Sequence, residues 1–289
     1  MRAQGPANPF ALAQRWRLTG KSRLPIVPAA FEQNAGCQSI DGAVAQLGER
    51  RVRNAKVRGS IPLGSTNPIP SCIFQFGRRV TYSVKEIFKT LQGEGGQAGR
   101  VAVFCRFAGC NLWSGREADR AAAVCRFCDT DFADMNGTLG GRYATAADLA
   151  AAIESVWGGG AERRFAVLTG GEPALQTDPA LIEALHETGF EIAIETNGTL
   201  PLSSGIDWVC VSPKAGTELK IRTGNELKLV YPQKDAPPET YLALDFDRFS
   251  LQPMDGPELE ANTAAAIAYC QAHPNWQLSL QTHKFLGIR

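Results

Sequence analysis

Three cysteines stand close together in this chain: Cys110, Cys125 and Cys128, separated by 14 and then 2 residues. Thiolates at such spacing are metal ligands. A structural zinc takes four ligands in a tetrahedron. A cubane iron–sulfur cluster has four irons, so three cysteines leave one iron open to a group that is not protein. An open iron is a place where chemistry can happen. Adding Cys105 gives Cys105-x4-Cys110-x14-Cys125-x2-Cys128, close to the spacing of a zinc ribbon, and this competing reading would close the site.

The elements around these thiols bear on that choice. Val101-Ala-Val-Phe-Cys-Arg-Phe107 reads as a strand of β-branched and aromatic residues. Alternation puts Cys105 with Val101, Val103 and Phe107 on one face, and Ala102, Phe104 and Arg106 on the other. Cys105 then packs as a buried thiol beneath helices rather than joining a metal site. Thr145-Ala-Ala-Asp148 is a capping start for a helix through about Trp157. Phe165–Leu168 is a short buried strand ending in Thr169-Gly-Gly-Glu-Pro173. Asp178-Pro179 opens the next helix and Gly189 ends it. Strands follow at Glu191–Glu195, Trp208–Val211, Leu227–Tyr231, Arg248–Gln252 and Gln277–Gln281, with a helix near Pro257–Ala272 between the last two. Strands alternating with helices imply a parallel sheet with right-handed crossovers. About six such strands are too few for a closed eight-stranded barrel. The expected class is α/β, an open, partial TIM-type barrel with its site at the carboxyl ends of the strands.

Composition narrows the function classes. The 289 residues are 44% hydrophobic with a formal net charge of +1, ordinary for a globular protein with no overall bias toward nucleic acid or membrane. Eight cysteines are too sparse for a disulfide scaffold. No apolar run approaches the roughly 20 residues of a membrane helix, and no secretory signal is visible at the N-terminus. A reduced, cytoplasmic setting is expected.

The cysteine pattern resembles an expanded form of the radical S-adenosylmethionine (SAM) signature Cys-x3-Cys-x2-Cys, with 11 extra residues between the first two cysteines. A longer loop still closes on a cluster, because closure cost grows only logarithmically with length. With Thr90-Leu-Gln-Gly-Glu-Gly95 upstream and Gln281-Thr-His-Lys284 near the end, residues 80–289 resemble the 7-carboxy-7-deazaguanine synthase family. The resemblance implies a radical-SAM-type partial barrel. It also implies conversion of 6-carboxy-5,6,7,8-tetrahydropterin to 7-carboxy-7-deazaguanine with loss of ammonia, on the route to queuosine and related deazapurines. The implied cofactors are a 4Fe–4S cluster on Cys110, Cys125 and Cys128, SAM, and Mg2+ held in part by Thr130. The implied partners are a flavodoxin- or ferredoxin-type reductant and a second copy of the chain, with no membrane and no direct nucleic-acid contact.

By the same resemblance, Phe127, Gly171, Glu172, Asn197, Ser212 and Lys214 line the SAM pocket. Glu172 accepts from the SAM amine, and Gln252, Pro253, Met254 and Asp255 meet the adenosine part. Leu91, Gln92, Gly93 and Glu94 bind the polar edge of the pterin, and Arg106, Thr169 and His283 complete that pocket. Arg289 is placed to supply a terminal contact. On residue type alone these assignments have ordinary rivals: Glu195-Thr-Asn197-Gly is a plausible turn, Thr130 a cap, His283 a structural residue and Arg106 an outer-surface arginine. Magnesium normally takes carboxylates plus water, so a threonine ligand implies that substrate and water complete the shell.

Residues 1–79 read differently. They hold 12 Lys and Arg against 3 acids, a formal +9, so the remainder carries −8. Pro and Gly interrupt every periodicity, which fits a disordered basic arm. The string from Gly42 to Asn67 also resembles a bacterial tRNA gene translated in frame, which would put the natural start downstream, near Val80. Intact mass of the protein from its native host is expected to correspond to a chain beginning near residue 80; a mass that includes the leader would defeat this reading.

Overall fold

The computed structural model describes residues 81–289. The expectations for the leader lie outside the described residues. The described elements are β1 (Tyr82–Leu91), β2 (Val101–Phe107), β3 (Gly141–Tyr143), α1 (Ala146–Trp157), β4 (Phe165–Gly170), α2 (Pro179–Glu187) and β5 (Glu191–Thr196). They continue with β6 (Trp208–Val211), β7 (Thr223–Tyr231), β8 (Asp245–Pro253), α3 (Leu259–Ala272), β9 (Trp276–Leu278) and α4 (Thr282–Leu286).

The strands form one sheet in the order β3-β1-β2-β4-β5-β6-β7-β8-β9. From β2 through β9 every neighbouring pair is parallel. The parallel part thus has seven strands, one more than the count of about six. β1 runs antiparallel to β2, and β3 antiparallel to β1. The sheet is the expected open α/β barrel, extended at one edge by strands whose direction the sequence pattern does not encode. The strand expected over Gln277–Gln281 stops at Leu278, and α4 follows. Only three residues of β9 pair with β8, after which Ser279 N donates to Leu251 O and the chain turns away.

Local signals explain why the helices sit where they do. Thr145 accepts from Asp148 N at 3.1 Å and starts α1; Gly158, at φ 60°, ends it. Asp178 accepts from Leu181 N at 2.9 Å with Pro179 at the first position of α2. Both helices cover one face of the sheet. There Cys105, Val103, Phe107, Ile87, Leu168 and Ile194 are buried against Leu149, Ile153, Leu181 and Leu185. Cys105 therefore lies under helices, as alternation requires. The opposite face is the barrel interior. Phe88, Ala102, Phe104, Phe165, Val167 and Ala193 plug part of it, with Phe88 and Phe104 stacked at 5.5 Å.

The interior then changes character. Register pairs Arg106 with Thr169 and Glu195 with Cys210, and pairs Lys228 with Ser250. The apolar plug thus gives way to polar side chains toward the carboxyl ends of the strands, and the site lies above it.

Leu168 is fully buried, whereas Ile267 on α3 is 39% exposed. Leu168→Ala is expected to destabilise the fold by about 2–5 kcal/mol, and Ile267→Ala by less than about 0.5 kcal/mol. Equal shifts in denaturant unfolding would show that the helix-covered layer is not the core.

Candidate active site

A cavity of about 420 Å³ opens at the carboxyl ends of the strands. Volume and position are those of a small-molecule site. The three cysteines lie on its rim in the long connection from β2 to β3. Cys110 follows the end of β2; Cys125 is buried, and Cys110 and Cys128 are partly exposed.

That connection is irregular but tightly tied. Cys110 Sγ accepts from Leu112 N, and Leu112 O accepts from Val124 N and Cys125 N. Arg120 stacks on Trp113 at 4.1 Å and donates to the carbonyls of Arg126 and Cys128. Trp113 in turn packs edge-on against Phe132. One arginine thus gathers the inserted loop so that residues far apart in sequence face one cavity.

The thiols respond to one another. Hydrogen bonding with Cys125 pulls Cys128 down to about 6 while pushing Cys125 up, and burial raises Cys110. Among the described residues no three His, Cys, Asp or Glu side chains converge closely enough to hold a single metal ion. Mononuclear zinc needs all its sulfurs about 2.3 Å from one centre. A cubane spreads its ligands, each on its own iron. Cys105 cannot be a fourth ligand, since it is buried on the opposite face of β2. Cys210 also lines the cavity, but its charged neighbours are Lys228, Glu226, Glu195 and Glu94 at the floor. The donor set fits a cluster with one open corner.

The turn after β4 is pressed against this loop. Gly171 N donates to Phe107 O and Glu172 N to Gly109 O. A Cβ on Gly171 would lie 2.1 Å from Gly109 O and 2.9 Å from the Cys110 Cβ. Only glycine allows that approach. Asn197 Nδ2, at the end of β5, donates to Asn111 Oδ1 beside Cys110.

All the expected site residues except Glu172 line this one cavity. Phe127, Gly171, Asn197, Ser212 and Lys214 lie on the cysteine side, with Gln252, Pro253, Met254 and Asp255 at the end of β8. Lys214 Nζ donates to Ser212 Oγ at 2.8 Å and sits 6.0 Å from the Phe127 ring. Burial lowers its pKa, an effect opposed by Cys125, Cys128 and Glu172. Leu91, Gln92, Gly93, Glu94, Arg106, Thr169, His283 and Arg289 also line the cavity, as does Thr130.

Glu172 differs. It is fully buried, and its carboxylate accepts from Thr196 Oγ1, Asn197 N and Ala174 N. Burial raises its pKa despite these donors. Its side chain fastens the β4 and β5 ends together behind the residues that line the cavity.

Several site groups carried no sequence signal. Lys228, 5% exposed, bonds Glu94 Oε2 at 2.5 Å and Glu195 Oε1 at 3.3 Å. Burial opposes its charge, but the two carboxylates hold its pKa well above the usual lysine value. Likewise burial opposes the charge of Glu94, yet Lys228 prevails and the carboxyl falls to about 2. Lys85, also buried, reaches Asp131, Asp134 and Asn136 just beyond Thr130. Glu86 joins Arg106 to Arg289, and Lys284 straddles Asp129 and Asp255. In sequence, alternating charge such as Glu226-Leu-Lys228-Leu reads as a solvated sheet face. The overlooked signal is that strands of a parallel barrel have no solvated face, so such charges must line a polar interior.

An open parallel barrel carrying three thiols on the rim of a cavity at its strand ends is the architecture of a radical SAM enzyme. No protein-family model matches the chain. It is 66% identical over 210 residues to the 7-carboxy-7-deazaguanine synthase of Bradyrhizobium diazoefficiens, covering 73% of this chain and 100% of that one. Against the enzyme of the same name from Caulobacter vibrioides it is 65% identical over 209 residues, covering 72% and 100%. The crystal structure of QueE from Escherichia coli aligns with a TM-score of 0.53 at 29% identity, covering 69% of this chain and 93% of that one. The chain belongs to the 7-carboxy-7-deazaguanine synthase family.

Gly171→Ala is expected to force the Cys110 loop outward at a cost of roughly 1–3 kcal/mol. Iron taken up in anaerobic reconstitution should then fall clearly below the wild-type value. Wild-type iron content in that variant would show that the close approach does not set the cysteine geometry.

Proposed function

We infer that the chain performs its family's reaction, converting 6-carboxy-5,6,7,8-tetrahydropterin to 7-carboxy-7-deazaguanine with loss of ammonia, on the route to queuosine and related 7-deazapurines. The observation that carries the reading is one cavity lined both by the three thiols of the β2–β3 connection and by the polar pterin-binding candidates. Cys110, Cys125 and Cys128 hold a 4Fe–4S cluster. When bound, the cluster and SAM supply one-electron chemistry that generates a carbon radical able to take a hydrogen atom from the substrate; the protein supplies orientation and excludes water.

The side chains divide that work. Gly171 lets backbone approach the ligand closely, Lys214 and Ser212 present a charge-bearing pair, and residues 252–255 border the nucleoside end. Asn197, tied to Asn111, holds the rim beside Cys110. Residues 91–94 and Thr169 offer donors and acceptors to a heteroaromatic edge. Arg106 presents a planar fork suited to a carboxylate, oriented by Glu86. Arg289, whose carbonyl accepts from Thr90 Oγ1 at 2.7 Å, and His283 close the substrate end.

Thr130 contributes to a magnesium site whose shell is completed by substrate and water. A flavodoxin- or ferredoxin-type protein delivers the electron, the enzyme works as a homodimer, and the reducing cytoplasm suits its thiolates. Among the described residues no helix is long and apolar enough to cross a membrane.

The test is turnover of the carboxytetrahydropterin under strict anaerobiosis, with SAM and a reductant, read by mass spectrometry. A brown protein with about four irons per chain is expected, as a cubane requires. Cys128→Ala should remove both iron and product while leaving the chain folded. A colourless protein holding one zinc, or retained iron and turnover in Cys128→Ala, would refute the assignment.

A further inference from the structure

At the floor of the cavity a single buried ammonium is bracketed by two carboxylates from different parts of the fold. Lys228 comes from β7, Glu195 from β5, and Glu94 from the loop between β1 and β2. Each carboxylate has a second tie. Gln92 Nε2 donates to Glu195 Oε1 at 3.0 Å, and Gln281 Nε2 donates to Glu94 Oε1 at 3.0 Å. Lys228 itself has no other hydrogen-bond partner among the described residues, and its side chain is only 6% exposed. It is a nearly buried positive charge on the cavity floor, placed where the loop 91–94 meets the sheet.

A buried ion pair of this kind is a poor source of stability, because desolvation offsets most of its Coulomb energy. It is an effective device for holding carboxylates in one place and one charge state. An aminopyrimidinone edge presents adjacent N–H groups, and a charged carboxylate accepts from them about twice as strongly as a neutral acceptor.

We propose that Lys228 is a positioning residue for the pterin: it holds Glu94 against Glu195 as a fixed acceptor for the N–H groups of the substrate's polar edge. This rests on the pterin reading above. Lys228 does not touch the substrate's reacting atoms; it acts through Glu94. The depressed pKa of Glu94, about 2 with Lys228 its main favourable partner, agrees with that arrangement.

Removing the ammonium would leave Glu94 buried beside Glu195 without its counter-charge. Both effects favour the protonated acid. Glu94 would then take up a proton as the pH falls through the neutral range and lose its capacity to accept. Substrate affinity would therefore decline on acidification in such a variant, whereas the wild-type Glu94 stays charged throughout. The other groups facing this cluster are Cys210 on β6, Glu226 on β7, Lys214 after β6 and His283 on α4. They are common to wild type and variant, so the difference between the two pH profiles reports on Lys228.

The experiment measures binding of 6-carboxytetrahydropterin to the anaerobic, SAM-loaded holoenzyme from pH 6 to 8, for wild type, Lys228→Gln and Lys228→Gln/Glu94→Gln. Lys228→Gln is expected to weaken binding roughly 10- to 100-fold, with an added loss of affinity toward pH 6. In the double variant, where the titrating carboxyl is gone, the added slope should vanish while binding stays weak. The double variant leaves Glu195 as the one carboxylate of the pair without its counter-charge, so it is measured in place of the single variant if that variant does not fold. Weakened binding with an unchanged pH profile in Lys228→Gln, or an added slope that persists in the double variant, would overturn the proposal. Wild-type protein that binds no pterin at any pH would instead defeat the substrate reading itself, and this proposal with it.

Discussion

The close approach of two backbone turns sets the geometry of the site. The turn after β4 rests on the residues that follow β2, with Gly171 N bonded to Phe107 O and Glu172 N to Gly109 O. No side chain fits between them. Cys110 is thereby fixed to the sheet, while the rest of its loop is gathered by Arg120. Buried Glu172 extends the clamp to Thr196 and Asn197. Three strand ends and the thiol rim are thus tied to one another, the kind of support that a precisely placed site needs. Glu172 is best understood as part of this frame. A buried carboxylate with three donors is costly to leave unsatisfied, and that cost makes it an effective fastener.

Much of this architecture was legible in the sequence, for reasons that can be named. Strand alternation around Cys105 was readable because β2 has an apolar helix-covered face and a mixed interior face, so period two carries information. The starts of α1 and α2 were readable because Thr145 and Asp178 are caps whose partners lie three residues away. The antiparallel direction of β1 and the short α4 were not readable. Strand direction is set by distant pairing, and α4 is five residues long, too short to show a period. The expected end strand failed for a related reason: its residues keep a strand-like pattern, but pairing ends at Leu278 and the chain is drawn back toward Gly93.

The site's charges were the hardest part to see. Lys85, Glu94, Glu195 and Lys228 have the composition of a solvated surface, and only the tertiary fold turns them toward the cavity. Family resemblance carried Glu94 to the site; Lys85, Glu195 and Lys228 became visible only in three dimensions. Their pairing follows from burial, since a lone charge could not remain there. The acidic body of the chain thus conceals an interior with lysines at selected points, each matched to carboxylates from other elements.

The segment 281–289 reaches back across the fold. Thr282 meets Gly93, Arg289 meets Thr90 and Glu86, and Lys284 meets Asp129. Some of these contacts join residues about 200 positions apart in sequence. Contacts of such separation form late, since loop closure must precede any gain from them. During synthesis the cysteine loop emerges well before its far wall exists. The cavity acquires its full lining only when translation has delivered the closing segment.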